Sequence, residues 1–402
     1  MTPQAIDHEL VADELIAPWL TCLLERSPGL RLFDCHTHVG VDLDGARLSL
    51  DALRRALQMV DARAVVFPLA TARGYRGRND RLLATTAGDH RLVTFCRVDP
   101  HADGAAEAER ALRRGAAGIK LHPRAERFLL SEPEVDRIVA IADERRVPVI
   151  VHAGRGIPSL GRDALVLADR YPSVPLILAH SAVADLAWIW EPAADTPNLF
   201  FDTSWWNTAD LLALFTLVAP GQILFASDAP YGRPVTAAAE ALRVAFAVGL
   251  SAEQRAMVFG GQLARLLAHE APADLGAAPS ETAPGAAPDT SVSAPCVTVP
   301  GTSAPAPDPL FERLHTMLLA AGMRTATSQP ADEFVDLARL ACRVPDDHPH
   351  APAAASVAEL LERHRRYLAT DPPAQGPRPP GVHFLFVAAA VARLPQTPLP
   401  TL

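Results

Sequence analysis

The chain has 402 residues, of which 49% are hydrophobic and 21% are charged, and its formal net charge is −9. These proportions are typical of a globular protein with a sizeable core, and a barrel domain of about 250 residues would leave room for an appendage. The acidic balance argues against a general affinity for nucleic acid or for anionic membrane surfaces.

Cysteine usage and the lack of targeting signals indicate a cytoplasmic protein. The five cysteines are widely spaced and form no C-x-x-C pair, as expected of thiols in a reducing compartment. The amino terminus lacks the pattern of a secretory signal, and no apolar run reaches the roughly 20 residues that cross a bilayer. We therefore expect a soluble, cytoplasmic protein that acts on a small molecule. The sequence leaves open whether it forms a homo-oligomer.

The first two thirds of the chain alternate between helical and strand patterns. Residues 1–30 carry apolar side chains at spacings of three and four, which predicts a helical lead-in. Eight apolar runs then predict strands at 31–40, 64–68, 92–98, 117–122, 147–151, 174–179, 199–203 and 223–227. Helical patterns separate these strands, so the sheet should be parallel, and eight such units close into a (β/α)8 barrel over residues 31–269.

The last third of the chain has a different composition. Residues 270–307 are rich in proline, alanine, serine and threonine, which predicts a flexible linker. Residues 308–402 predict a small, mainly helical region, with Asp308 as an N-cap and a capping-box pattern at 356–359. The apolar segment 382–394 predicts a core strand or helix. We assign no role to this region from the sequence.

Five side chains with metal-binding chemistry lie at the carboxyl ends of predicted strands. His36 and His38 alternate on the first strand, so their side chains share one face. His152, His180 and Asp228 end the fifth, sixth and eighth strands. In a barrel all five residues lie on one rim and face one cavity. Because imidazole and carboxylate groups bind divalent ions, their joint placement predicts a metal site.

These motifs resemble the amidohydrolase superfamily of metal-dependent barrel enzymes, which have His-x-His on strand one, histidines on strands five and six, and an aspartate on strand eight. The branch that the sequence resembles is the amidohydrolase-related group, which includes hydrolases, lactonases and decarboxylases of the aminocarboxymuconate semialdehyde type. The resemblance covers about residues 31–268 and includes a closing helix in which Gln262 replaces a usual asparagine. We expect this replacement to affect only packing at the bottom of the barrel.

The resemblance implies a ligand set and a chemistry. His36, His38, His152 and Asp228 would bind one divalent ion, with zinc favoured and manganese or iron as alternatives. His180 would be either a further ligand or a proton-transfer residue. A divalent ion lowers the pKa of bound water toward about 7, so that Asp228 can accept a proton while His180 donates one to the leaving group.

Lys120 lies on the fourth predicted strand, where binuclear members of the superfamily have a carboxylated lysine that bridges two metal ions. The alternative that we favour is that Lys120 binds a substrate carboxylate or pairs with an acidic neighbour. Arginine side chains suit carboxylate binding, and adjacent tryptophans can line an apolar or ring-binding pocket. The further candidate substrate contacts are His122, Arg124, Arg155, Arg73, Trp205 and Trp206. Each of these residues has an ordinary loop or packing role as its alternative.

The sequence favours a metal-dependent hydrolase that acts on a small carboxylate-bearing ester, lactone or amide. A non-oxidative decarboxylase on the same scaffold is the alternative. Residues 227–231 also resemble the strand-eight motif of TatD-type deoxyribonucleases, but that family has a glutamate where this chain has Lys120. The acidic charge does not favour DNA binding. A non-enzymatic scaffold is a further alternative, which the complete set of candidate ligands argues against.

Overall fold

The computed structural model describes residues 8–72, 74–280, 308–323, 332–373 and 378–396. The strands are β1 Phe33–Val41, β2 Arg47–Leu48, β3 Arg63–Pro68, β4 Leu92–Thr94, β5 Cys96–Arg97, β6 Ile119–Leu121, β7 Val149–Val151, β8 Leu176–Leu178, β9 Leu199–Asp202 and β10 Ile223–Leu224. The helices as far as the end of the barrel are α1 His8–Glu25, α2 Leu50–Met59, α3 Arg76–Thr86, α4 Gly104–Arg113, α5 Pro123–Glu126, α6 Pro133–Arg145, α7 Gly161–Arg170, α8 Leu186–Ala193, α9 Thr208–Leu217, α10 Pro234–Ala247, α11 Ala252–Ala256 and α12 Gln262–Leu267.

The strands form a closed (β/α)8 barrel, as the sequence predicts. Neighbouring barrel strands pair in parallel, and the short β2 pairs with β1 in the antiparallel direction. Only Phe95 separates β4 from β5, which pair with β3 and β6 respectively, so together they make one barrel position. The seam between β10 and β1 is closed by hydrogen bonds from Cys35 N to the Phe225 carbonyl at 2.9 Å and from His38 N to the Ala229 carbonyl at 2.7 Å.

Alternating side chains divide the strands between two apolar cores. On β7, Ile150 packs inside the barrel with Phe67 and Phe200. Val149 and Val151 belong to the larger core between the strands and the surrounding helices. This period of two is that of an extended strand. Apolar side chains therefore fill the barrel interior and leave polar residues to form its carboxyl rim.

The bottom of the barrel is closed by the segment around α12. Gly260 approaches β1 closely, since a Cβ atom there would lie 2.2 Å from the Arg31 carbonyl oxygen. Gln262 is fully buried and its side-chain nitrogen donates to the carbonyls of Gly221 at 2.6 Å and Ala273 at 3.2 Å. Gln262 therefore joins α12 to the loop before β10 and to the segment after the barrel, and the limited effect of its replacing an asparagine stays a prediction.

The predicted linker begins against the barrel. Ala273 N donates to Gln262 at 3.0 Å and Ser280 N donates to the Thr216 carbonyl at 3.0 Å, so residues 271–280 follow the barrel surface. The rest of the predicted linker, 281–307, lies outside the described residues. The predicted lead-in contains α1, which packs on α2 and α10.

Four helices follow in the C-terminal region: α13 Pro309–Gly322, α14 Asp332–Ala341, α15 Ala351–Leu368 and α16 Val382–Arg393. Asp308 caps α13 by accepting from Leu310 N at 2.9 Å, as predicted. The predicted capping box at 356–359 is wrong, because α15 begins five residues earlier and Ser356 donates to the Pro352 carbonyl within the helix. Helix α16 packs against α9 and α10 of the barrel. Within the described ranges, no helix combines the length and apolar character needed to cross a membrane.

Candidate metal centre

The barrel brings the predicted metal ligands to one rim. His36 and His38 lie on β1, His152 follows β7, and His180 lies two residues beyond β8. Asp228 follows β10 and is held against β1, because its backbone N–H donates to the His36 carbonyl at 2.8 Å. The rim is formed by the carboxyl ends of the strands, where barrel enzymes place their active sites.

Three of these side chains converge. His36 Nε2 lies 3.2 Å from His38 Nε2 and 3.3 Å from Asp228 Oδ1, and His38 Nε2 lies 3.1 Å from the same oxygen. Among the described residues, this is the one group of three or more histidine, cysteine or acidic side chains that is compact enough to hold a metal ion. The Asp228 side chain is 15% exposed and both histidines are buried, so the group opens to solvent on the Asp228 side.

A buried hydrogen bond fixes the protonation of His36. Its Nδ1 lies 2.7 Å from Asp202 Oδ2, and neither side chain is accessible to solvent. Because a carboxylate accepts hydrogen bonds, the proton of the neutral ring is on Nδ1 and the lone pair is on Nε2. The other oxygen of Asp202 accepts from the backbone N–H groups of His180 and Ser204 at 2.8 and 2.9 Å. The His36 lone pair therefore points at His38 and Asp228.

His152 and His180 form a second pair beside this group. His180 Nδ1 lies 2.9 Å from the Ser204 carbonyl oxygen, which can only accept, so this nitrogen carries the proton. His180 Nε2 then accepts from His152 Nδ1 at 2.9 Å. The lone pair of His152 is consequently on Nε2, a buried atom without a hydrogen-bond partner in the described part of the chain.

Burial keeps the imidazoles of His36, His38 and His152 neutral. It lowers the pKa of His36 and His152 well below the usual histidine range, and that of His38 to about 4. Burial alone would raise the pKa of Asp228, but His36, His180 and the hydrogen bond with His38 hold this pKa below its ordinary value. At neutral pH the group thus presents neutral nitrogens and a carboxylate, which are the protonation states that bind metal ions.

Lys120 lies at the edge of the group. Its Nζ is 3.1 Å from His36 Nε2, and the side chain is fully buried. Burial lowers the pKa of Lys120 to about 8. Lys120 on β6, the fourth barrel strand, therefore has its amine beside the histidines of β1, where the resemblance places a lysine.

The converging atoms fit a divalent ion. Two ligand atoms that each lie about 2.1 Å from an ion, at a tetrahedral angle, are about 3.4 Å apart. The three separations here are 3.1, 3.2 and 3.3 Å. Two nitrogens and one carboxylate oxygen form a donor set that zinc, manganese and iron accept, and the unpartnered His152 Nε2 is a further nitrogen donor.

Two aromatic walls flank the histidines. His122 stacks on His152 with ring centroids 3.9 Å apart, and its Nδ1 caps α5 by accepting from Ala125 N. On the other side, Trp205 lies 6.3 Å from His180 between ring centroids and 5.2 Å from Trp206. The predicted substrate contacts His122, Trp205 and Trp206 are therefore next to the candidate metal centre.

The three arginines predicted to contact the substrate differ in where they lie. Arg155 is exposed, and its guanidinium lies 5.4 and 5.5 Å from the ring centroids of Trp205 and Trp206, which places it at the mouth. Arg124 is exposed in α5 and its guanidinium approaches Gly156 in the loop after β7. Arg73 lies outside the described residues.

The sequence did not reveal several residues around this centre. Asp202 is one of them, although it ends an apolar run as the predicted ligands do. The others belong to the C-terminal region: Arg378, His383 and Phe386 line a cleft that also contains Asp228. No spacing in the sequence links these residues to a barrel strand more than a hundred positions earlier.

The fold and the site define the class: a (β/α)8 barrel with a candidate metal centre of two histidines and an aspartate at its carboxyl rim. A protein-family model described as "Amidohydrolase" matches residues 33–267, and the chain belongs to this family. This match confirms the expected membership of the amidohydrolase superfamily. The C-terminal helices lie outside the matched segment.

Several solved structures are similar to the barrel. One is an amidohydrolase from Burkholderia multivorans with bound zinc, which is 19% identical; the match covers 59% of this chain and 99% of that chain, with a TM-score of 0.49. Another is 5-carboxyvanillate decarboxylase from Sphingomonas paucimobilis, which is 18% identical; the match covers 60% of this chain and 99% of that chain, with a TM-score of 0.45. A third is 2,6-dihydroxybenzoate decarboxylase from Rhizobium, which is 15% identical; the match covers 60% of this chain and 99% of that chain, with a TM-score of 0.47. No curated protein matches the chain.

Proposed function

We propose that the protein is a divalent-metal-dependent hydrolase of a small carboxylate-bearing ester, lactone or amide. The observation that carries this proposal is the convergence of His36 Nε2, His38 Nε2 and Asp228 Oδ1 within 3.3 Å of one another. A divalent ion bound there would polarise a substrate carbonyl and make water a stronger acid. Membership of the amidohydrolase family supports the same chemistry.

His36, His38 and Asp228 would hold the ion, with His152 Nε2 as a fourth donor. We favour zinc because the donors are mainly imidazole nitrogens, with manganese and iron as alternatives. Asp202 supports this assignment by keeping the proton of His36 on Nδ1. His180 supports it in the same way, since it accepts the Nδ1 proton of His152. Both nitrogens of His180 are hydrogen-bonded, so we assign it a positioning role rather than that of a ligand.

Asp228 is the group that would accept the proton of the attacking water. It is the partly exposed member of the cluster, so water and substrate reach it from the mouth. Its Oδ2 lies 3.9 Å from His180 Nδ1. His180 Nδ1 already carries a proton and its Nε2 accepts one from His152, so we assign the return of the proton to the leaving group to Asp228.

The substrate would lie between the aromatic walls at the mouth. Lys120, beside His36, and Arg155, at the mouth, both offer positive charge for a substrate carboxylate. Trp205 and Trp206 offer apolar surface for a ring. We assign His122 and Arg124 a smaller part in substrate binding, because His122 is engaged as a helix cap and Arg124 is exposed.

Decarboxylation is the second candidate, and Lys120 is the observation that favours it. A buried amine beside His36 could hold a substrate carboxylate close to the candidate metal centre. Product analysis separates the two reactions. Carbon dioxide release from a panel of aromatic carboxylates, without hydrolysis of a panel of lactones, esters and amides, would eliminate the hydrolase.

The metal content of purified variants tests the site itself. We expect about one ion per chain in the wild type, almost none in His36→Ala and one in Lys120→Ala. His90→Ala is the matched control, because His90 is exposed and distant from the site in sequence, and it should keep the full metal content. Loss of a second ion in Lys120→Ala would instead support a bridged pair. Full metal content in His36→Ala would exclude the proposed site.

A further inference from the structure

The C-terminal region reaches the mouth of the candidate active site. Arg378 donates from Nη1 to the carbonyl of Tyr231 at 3.0 Å, three residues beyond Asp228. Phe386 of α16 stacks on Trp206, with ring centroids 5.4 Å apart and an angle of 26° between the planes. Both contacts join residues outside the family-matched segment 33–267 to residues within it. They enclose a cleft that contains Asp228.

The barrel wall of this cleft carries two buried polar groups without partners. Thr236 and Glu240 lie one turn apart on α10 and are 3% and 4% exposed. In the described residues, Thr236 Oγ1 and Glu240 Oε1 have no hydrogen-bond partner. Burying such groups unpaired is unfavourable, so side chains of this kind lining a cleft indicate a polar ligand. Burial raises the pKa of Glu240 well above its usual range, and the nearby charge of Arg378 acts in the opposite direction.

Arg378 supplies positive charge to the cleft, where it interacts with the carboxyl groups of Asp228 and Glu240. Its guanidinium is 5.5 Å from the ring centroid of Phe386, and the hydrogen bond to Tyr231 uses one of its N–H donors. A guanidinium has five such donors in a planar fork, which matches a carboxylate. The exposed Arg155 has its guanidinium 5.4 and 5.5 Å from the ring centroids of Trp205 and Trp206. Arg378 is the more enclosed of the two arginines, so its charge is less screened by water.

From this arrangement we infer that the C-terminal region completes the substrate pocket and selects flat, ring-bearing carboxylic acids. Arg378 binds the carboxylate, Trp206 and Phe386 line the ring, and Thr236 with Glu240 binds a hydroxyl or carbonyl substituent. The reacting group then faces Asp228. The inference deepens the proposed function and rests on it for the position of the reacting group. The binding of a carboxylate at Arg378 can nevertheless be measured without any reaction.

Calorimetric titration of the full-length, zinc-loaded protein tests this inference. Benzoate is the probe, and benzamide is the neutral probe of the same shape. We expect Arg378→Met to weaken benzoate binding by about 10–100-fold and to leave benzamide binding unchanged, because only the carboxylate uses the charge. Arg313→Met, an exposed arginine of α13, is the matched control and should bind both probes as the wild type does.

Two further variants keep the test informative. Arg378→Lys retains the charge and most of the stem, so it should bind benzoate with intermediate affinity even if Arg378→Met does not fold. Thr236→Val retains the shape of the side chain, and it should abolish any preference for hydroxybenzoates over benzoate. At least one hydroxybenzoate isomer should bind the wild type more tightly than benzoate does.

The outcomes separate this inference from the proposed reaction. Equal benzoate affinity in wild type, Arg378→Lys and Arg378→Met overturns the inference, as does the absence of benzoate binding to the wild type at millimolar concentration. Metal-dependent hydrolysis could be observed in either of those cases. Conversely, selective loss of benzoate binding in Arg378→Met, with no hydrolysis of any ester, lactone or amide, supports the pocket and refutes the hydrolase.

Discussion

Replacing Asp202 by asparagine tests whether a buried hydrogen bond prepares His36 to bind a metal ion. Asp202 Oδ2 accepts the Nδ1 proton of His36 at 2.7 Å. Its Oδ1 accepts separately from His180 N at 2.8 Å and from Ser204 N at 2.9 Å. An asparagine can keep the Oδ1 contacts through its amide oxygen. Its NH2 group then faces His36 and moves the His36 proton to Nε2, the nitrogen that points at His38 and Asp228.

The size of the effect follows from the single contact that changes. Removing the hydrogen-bond partner of a ligating histidine weakens metal binding by about 10–100-fold. This corresponds to about 1.4–2.7 kcal/mol of binding free energy. The fold should be unaffected, because the backbone hydrogen bonds to position 202 are retained. We therefore expect Asp202→Asn to lose metal affinity without a large loss of secondary structure.

Competition with a chromogenic zinc chelator measures the affinity, and circular dichroism checks the fold. Asp34→Asn is the control, since Asp34 is equally buried on β1 and its Oδ2 has no partner among the described residues. An asparagine amide oxygen can keep the Oδ1 contacts with the backbone N–H groups of His36 and Ser227. The control should bind zinc as the wild type does. A zinc affinity in folded Asp202→Asn within about twofold of the wild-type value would refute this account of His36.

Three further predictions concern stability. Arg97→Met should destabilise the fold by about 3–5 kcal/mol in urea unfolding, because it leaves Glu126 buried without the guanidinium that lies 2.8 Å away. The double variant Arg97→Met with Glu126→Gln should lose less stability than Arg97→Met alone. An equal loss of unfolding free energy in the two variants would contradict this explanation. Burial raises the pKa of Glu240, so the folded chain retains a proton that the unfolded chain releases, and stability should fall as pH rises above about 4.3. Glu240→Gln should flatten this part of the pH profile of Tm, and an unchanged slope would count against it. Zinc at 100 times its Kd should stabilise the wild type by about 2.7 kcal/mol and His36→Ala hardly at all, as measured by thermal unfolding with and without chelator.

The barrel could be predicted because its strands are short apolar runs that end in polar residues. The prediction of a helix boundary was less secure where several starts have similar local chemistry. The pattern at 356–359 has the residues of a capping box, but the alanine-rich segment before it, 351–355, also favours a helix and the chain continues the helix through Ser356. Helix α15 packs against α16, and the sequence of α15 alone does not reveal this contact.

The candidate site was predictable only where the strand order itself carries the information. His36, His38 and Asp228 could be brought together because β1 and the eighth barrel strand are neighbours in any closed barrel. Asp202 acts on His36 across 166 positions, and its role depends on a rotamer and a hydrogen bond. Arg378 reaches the mouth through the docking of α16, for which the barrel motifs give no signal.

On the proposed function, the charges around the candidate site would make a metal ion and a carboxylate substrate bind better together than separately. Asp202 and Asp228 are two carboxylates beside neutral imidazoles, and Lys120 is the buried cation next to them. A divalent ion at Asp228 would turn this negative balance into a positive one. A substrate carboxylate in the proposed pocket would then meet positive charge from both the ion and Arg378. Because both interactions are partly shielded from water, their electrostatic coupling is stronger than it would be at the protein surface.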